Sequence, residues 1–190
     1  ASATWLSIAV FLKFYPIVFV IPICIKLFRQ NELTKLKNYL SKLIISFGLI
    51  NLPFALTNFS GWSYFYQFNF KRAIGPGSIW EVFNIFELKI SNLNILYSLG
   101  TIFLLIIISY LYWKHFYTYR LSEYIFIYIF AFTLFSKVYS PQYIIWLTPL
   151  AILCLKNRLH KLLFVVWQFS ELGYQIVLWP YLDSLRGANP

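Results

Sequence analysis

Methionine is missing from all 190 residues, and cysteine occurs only twice, as Cys24 and Cys154. A chain with no start residue reads as a piece of a longer protein. Neither cysteine has a histidine or carboxylate at ligand spacing, which argues against a disulfide framework and a metal centre. Both lie in apolar runs and read as small buried hydrophobes. Charge is scarce as well: 12% of residues are charged and only six are acidic. Soluble domains carry about 25% charged residues, so this chain lacks the polar surface to face water on all sides. No basic region precedes the first apolar stretch and no small-residue cleavage site follows it, so that stretch is not expected to be a secretory signal peptide.

What the sequence has instead is long apolar blocks, with 60% hydrophobic and 22% aromatic residues. Residues 95–113 and 138–155 contain no charge. About 20 helical residues cross a hydrocarbon core, so such blocks have spanning length. They do not alternate apolar with polar, as the strands of a membrane barrel must. The expected fold is all-α, a polytopic transmembrane bundle of about six membrane segments, some broken or short. The segments are residues 3–27, 43–59, 95–113, 124–136, 143–155 and 162–182. No internal repeat or linker divides them, and residues 1–190 read as one transmembrane domain. The first is interrupted by Lys13, Pro16 and Pro22, since proline lacks the donor a helix interior needs.

The net charge of +10 gathers in short loops. Lys26, Arg29, Lys35, Lys37 and Lys42 form one group, Lys114 and Arg120 a second, and Lys156, Arg158 and Lys161 a third. This is the bias of cytoplasmic loops in a multi-pass cell-membrane protein, and it accounts for the charge without a nucleic-acid partner. Residues 60–94, 136–142 and the tail from Asp183 then face the opposite side. Parity of crossings does not separate two spans from a re-entrant hairpin over residues 124–155; 34 residues between Glu123 and Lys156 suit two short spans. The stretch 60–94 is rich in aromatics, which favours re-entrant or interfacial packing. Within it, Ser78 and Glu81 have capping-box spacing, predicting a helix over residues 79–89.

Four groups place charge or helix breakers where a membrane makes them costly. Lys13 sits beside Pro16; a cation at a helix centre costs roughly 2.5–3.5 kcal/mol unless it meets a cavity or partner, or snorkels to an interface. Arg72 stands among aromatics near the predicted helix start, where guanidinium and free amides together suit a phosphate. Lys137 and Gln142 flank Pro141 between two apolar segments, as a polar pocket or a simple turn. Glu171 follows Trp167-Gln168 inside the last segment, either paired to a neighbouring lysine or facing a cavity.

Lys13-Phe14-Tyr15-Pro16, the run from Gly61-Trp62 through Arg72 to Gly77-Ser78-Ile79-Trp80, and Lys137-Val138-Tyr139-Ser140-Pro141-Gln142-Tyr143 with Trp146 and Pro149 resemble glycosyltransferase family 87. Trp167-Gln168 with Glu171 adds to the likeness, which corresponds to the family's C-terminal half. The resemblance implies a GT-C-type membrane enzyme, mannosyltransferase-like, needing no cofactor or metal. It would transfer a sugar from a polyprenyl-phosphate donor to a glycolipid or glycan acceptor of the cell envelope at the extracytoplasmic face, in contact with membrane lipids. Lys13, Arg72 and Lys137 are candidates for the donor phosphate, and Gln142 for a hydrogen bond to donor or acceptor. Tyr15, Ser78, Ser140 and Tyr143 complete the candidate substrate-binding set. The catalytic acid residue of such enzymes lies in an N-terminal loop that this chain lacks. On that expectation the catalytic base is unassigned, and the chain by itself is inactive. A transporter, a lipid flippase or a non-catalytic assembly subunit is the rival reading.

Cysteines introduced at Lys37, Arg120 or Arg158 should react with an impermeant label only from the cytoplasmic side, and one at Gly75 only from outside. Cytoplasmic labelling at Gly75 would defeat this topology.

Overall fold

The computed structural model describes residues 2–87 and 92–185. Among these residues the chain is helical, with no strand. The chain divides into two compact units, Ala1–Tyr139 and Ser140–Pro190.

The first unit opens with α1, Ser2–Leu12, followed by a 3₁₀ turn, Tyr15–Phe19, and α2, Val20–Arg29. Pro16 explains the break, because in a continuing helix its ring would collide with the carbonyl of Leu12, four residues back. Pro22 breaks nothing. It lies in the first turn of α2, where amides have no intrahelical acceptor in any case. Asn31 turns the chain with φ 56, a left-handed conformation that asparagine tolerates, and α3 runs from Leu33 to Thr57.

Small residues let α1 lie against α3. Ser7 is wholly buried, and its hydroxyl donates to the carbonyls of Ala3 at 3.1 Å and Leu43 at 3.0 Å. Ala3, Tyr39 and Leu43 are buried there, with Leu6, Val20, Ile23, Leu27 and Leu40 packed around them.

Residues 60–71, expected to pack in a re-entrant or interfacial way, belong to a further helix, α4 (Phe59–Lys71). Asn58 caps it, accepting the Gly61 amide at 2.8 Å. Trp62 ties it to α3 by donating its indole N–H to Asn51 Oδ1 at 3.0 Å. The helix predicted over residues 79–89 is α5, Glu81–Ile85. It is not capped by Ser78: that hydroxyl is buried with no partner among the described residues, and the Glu81 amide bonds to the Ser78 carbonyl at 3.0 Å. Lys89, where the predicted helix ends, lies outside the described residues.

α6 spans Leu93–Lys114 and α7 spans Leu121–Leu134. They meet through Tyr112 and Tyr124, whose ring centroids are 3.9 Å apart, and through Ser109 and the Tyr128 hydroxyl at 2.6 Å. Glu123 accepts the Arg120 amide at 3.0 Å and so fastens the start of α7.

In the second unit, α8 is Gln142–Cys154 and α9 is Arg158–Leu185. Asn157 precedes α9 and accepts the His160 amide at 2.9 Å. Gln168 on α9 donates to Thr148 on α8 at 3.2 Å.

Among the described residues, three helices are long and apolar enough to cross a membrane: Leu33–Thr57, Leu93–Lys114 and Arg158–Tyr181. α1, α7 and α8 are shorter apolar helices. Leu49 is 70% exposed and Leu56 81%, a surface that suits lipid and not water.

Ser7→Ala should cost only about 0.6 kcal/mol, the mean for an interhelical hydrogen bond in membranes. Ser7→Leu should cost about 1–3 kcal/mol by overpacking the crossing. Thermal unfolding in detergent checks both, and a Ser7→Leu midpoint equal to wild type would show that the crossing does not need a small residue.

Candidate functional site

The segment after α4 is built to run beside a distant stretch of chain. α4 ends because Arg72 adopts extended backbone, φ −56 and ψ 134. Gly77, at φ 77, then turns the chain where an L side chain would be strained. The Gly75 amide donates to the Lys137 carbonyl at 2.9 Å. A Cβ on Gly75 would stand only 3.0 Å from Val138 Cγ1, so glycine permits the approach. Buried Trp80 makes the second tie, its indole N–H donating to the Phe135 carbonyl at 2.7 Å. Its ring meets Phe135 and Tyr97 edge-on.

Lys137 closes the arrangement. It is 5% exposed, and Nζ donates to the Phe70 carbonyl at 2.7 Å and to Asn94 Oδ1 at 2.6 Å. The rings of Tyr97 and Phe70 lie 5.6 and 6.0 Å from the ammonium, within range of cation–π attraction. One side chain thus joins the end of α4, the start of α6 and the turn after α7.

Between the first two lies an open cleft of about 580 Å³, lined by residues 70–73 and 92–95. The lining includes Lys71, Arg72, Asn92 and Asn94 and, among the described residues, no carboxylate. Arg72 is exposed, and among the described residues its guanidinium contacts only the Phe68 ring, at 5.9 Å. Asn92 starts α6 in the left-handed region without a side-chain cap; the Ile95 and Leu96 amides bond to its carbonyl at 2.9 and 3.2 Å, which leaves the Leu93 and Asn94 amides as the ones with no intrahelical acceptor. Guanidinium, ammonium and free amides around one hollow form a setting for an anion.

The structure therefore brings the Arg72 and Lys137 stretches together, with Ser78 in the loop pinned between them. Lys13 stands exposed in the break after α1, and Tyr15 is half-buried in the 3₁₀ turn. Phe14 between them meets Tyr66 edge-on at 5.9 Å, one helical turn before Phe70. Ser140, Gln142 and Tyr143 belong to the second unit: the Tyr143 amide bonds to the Ser140 carbonyl at 2.9 Å, and exposed Gln142 opens α8. Tyr143 is buried, 4.8 Å from the Trp146 ring. Glu171 accepts from Gln175 at 2.9 Å within α9. Asn94, which sequence reasoning passed over, is the side chain that most alters the picture. A lone asparagine at a loop end has no signature; its significance comes from a lysine 43 positions away.

Burial pushes the Lys137 ammonium below its ordinary value of 10.5. The folded chain therefore tolerates the protonated form less well than the unfolded chain does. The destabilisation is absent above the unfolded pKa and complete once pH has fallen through the folded one, so stability rises with pH across that interval. Thermal midpoints of wild type and Lys137→Arg, followed from about pH 8 to about pH 11, should show wild type gaining on a variant whose guanidinium stays charged. Parallel curves would show that desolvation does not govern this lysine.

Comparison with protein-family models, curated proteins and solved structures returns no match for this chain.

Proposed function

We propose that the chain is part of a GT-C-like membrane glycosyltransferase resembling family 87, acting on a polyprenyl-phosphate sugar. In this reading the first segment (α1 with α2), α3, α6, α7, α8 and α9 are the six membrane segments. The three basic loops are cytoplasmic, and α4, the cleft and the turn after α7 lie at the extracytoplasmic face. α4 then rests at the interface, where its exposed Tyr64, Phe65, Phe68 and Phe70 suit the headgroup boundary.

The observation that carries the reading is the cleft at Arg72, whose described lining holds no carboxylate, adjoining the Lys137 stretch. A lipid-linked donor carries its negative charge at a phosphate next to the anomeric carbon. In an inverting displacement the acceptor oxygen bonds to that carbon as the carbon–phosphate-oxygen bond breaks. The acceptor proton passes to a base, and the polyprenyl phosphate departs with its added charge. Arg72, aided by Lys71 and the start of α6, would stabilise that charge through preorganised donors. Lys13 remains a candidate for the phosphate, Gln142 for a hydrogen bond to donor or acceptor, and Tyr15, Ser78, Ser140 and Tyr143 for substrate contacts; the base is unassigned.

In the full-length protein, Arg72→Ala should lower kcat/KM for a polyprenyl-phosphate sugar by about 30- to 1,000-fold, or about 2–4 kcal/mol of transition-state stabilisation. Arg72→Lys should also be impaired, since an ammonium does not reproduce the planar fork. Reconstituted protein and a radiolabelled donor give the measurement. Wild-type turnover in folded Arg72→Ala would remove the cleft from the reaction.

A further inference from the structure

We propose that Asn94 is a ligand-facing donor of the cleft, and that Lys137 acts through Asn94 as a positioning residue without touching the phosphate. The proposal rests on the reading of the cleft as a phosphate site.

The argument begins with the hydrogen-bonding capacity of the two side chains. A lysine ammonium only donates, whereas a carboxamide carries one acceptor oxygen and one donor nitrogen. With Nζ at 2.6 Å, the oxygen of Asn94 must be the atom turned toward Lys137. The amide NH₂ is thereby turned away. It meets no acceptor among the described residues, and it is not among their buried unpaired groups. Asn94 also lines the cleft. A carboxamide that was free to flip would present oxygen or nitrogen there; one clamped by a buried lysine presents nitrogen.

Lys137 is poorly placed to bind a ligand itself. Two of its three N–H groups are taken by Phe70 and Asn94, it is 5% exposed, and the rings of Phe70 and Tyr97 lie against it. Phe70, whose carbonyl takes the other bond, also lines the cleft. Drawing that carbonyl onto the ammonium occupies an acceptor that would otherwise repel an anion. The lysine therefore improves the site twice, by what it orients and by what it occupies. The ligand class that follows is a phosphate ester, met by Arg72, the Asn94 NH₂ and the first amides of α6.

Asn94→Asp is the discriminating variant. It keeps a partner for Lys137, now an opposite charge, while turning a carboxylate oxygen toward the cleft in place of the NH₂. Thermal midpoint and binding of decyl phosphate and of inorganic phosphate are measured on the purified full chain in detergent, with Arg72→Ala alongside. The expected result is an Asn94→Asp midpoint at or above wild type, with decyl phosphate affinity at least about tenfold weaker, the loss typical of a hydrogen bond to a charged group. If Arg72→Ala weakens binding and Asn94→Asp does not, the role of Asn94 is overturned and the phosphate site stands. If neither weakens it, the phosphate reading falls as well. Binding of inorganic phosphate alone would overturn the lipid-linked source.

A double-mutant cycle then tests the positioning role. If Lys137 acts through Asn94, Lys137→Ala should add less than about threefold in an Asn94→Ala background, because residues acting as one unit are non-additive. Multiplying losses would show that Lys137 meets the phosphate directly.

Discussion

A lysine that is 95% removed from solvent holds its charge only where oxygen atoms replace water. Lys137 finds two of them, one from the last turns of α4 and one from the first turn of α6. Those partners are 67 and 43 positions away in the chain, so this single ammonium does the work of a long-range tether. The Gly75 and Trp80 contacts reinforce it on the other side, fastening the loop between α4 and α5 to the turn after α7. Losing the ammonium would leave a carbonyl and an amide oxygen facing each other with nothing between them. The cleft, its open helix start and the exposed guanidinium all depend on that arrangement.

Elsewhere the first unit is held by means that suit an apolar solvent. Where the surroundings are as apolar as leucine, burial of leucine drives little, and close approach of small side chains matters more. Ser7 between α1 and α3, and Ser109 against Tyr128 between α6 and α7, show this pattern. Each satisfies a hydroxyl across a helix pair that would otherwise carry it into hydrocarbon. α4 follows a different logic, with Trp62 anchored to Asn51 on one side and aromatic rings left exposed on the other.

Much of this was readable in the residues. The charge-free run 95–113 announced α6, and Pro16 announced the end of α1 through its missing donor and ring clash. α4 was hidden: aromatics fall at so many of its positions that no helical period stands out, and only Asn58 ahead of Gly61 marked its start. Ser78 misled, since capping-box spacing says nothing about a backbone that pulls the hydroxyl inward. Arg72 and Lys137 were singled out for the cost of their charge, and that cost does bring their neighbourhoods together. Their different circumstances, one exposed and one clamped, depend on Asn94. No local pattern could have supplied that.

The two helix ends that border the cleft carry opposite partial charges: α4 ends there with its carbonyls, and α6 begins there with its amides. Lys137 sits on a carbonyl of the first and neutralises it, while Asn92 leaves the second uncapped. The two macrodipoles therefore do not cancel. The α6 terminus, Lys71 and Arg72 then bring positive charge to the hollow, where the described lining offers no carboxylate to oppose them. If the cleft holds a phosphate as proposed, a hollow of this kind would select by sign before it selects by shape, favouring an anionic headgroup over a choline or ethanolamine of the same size.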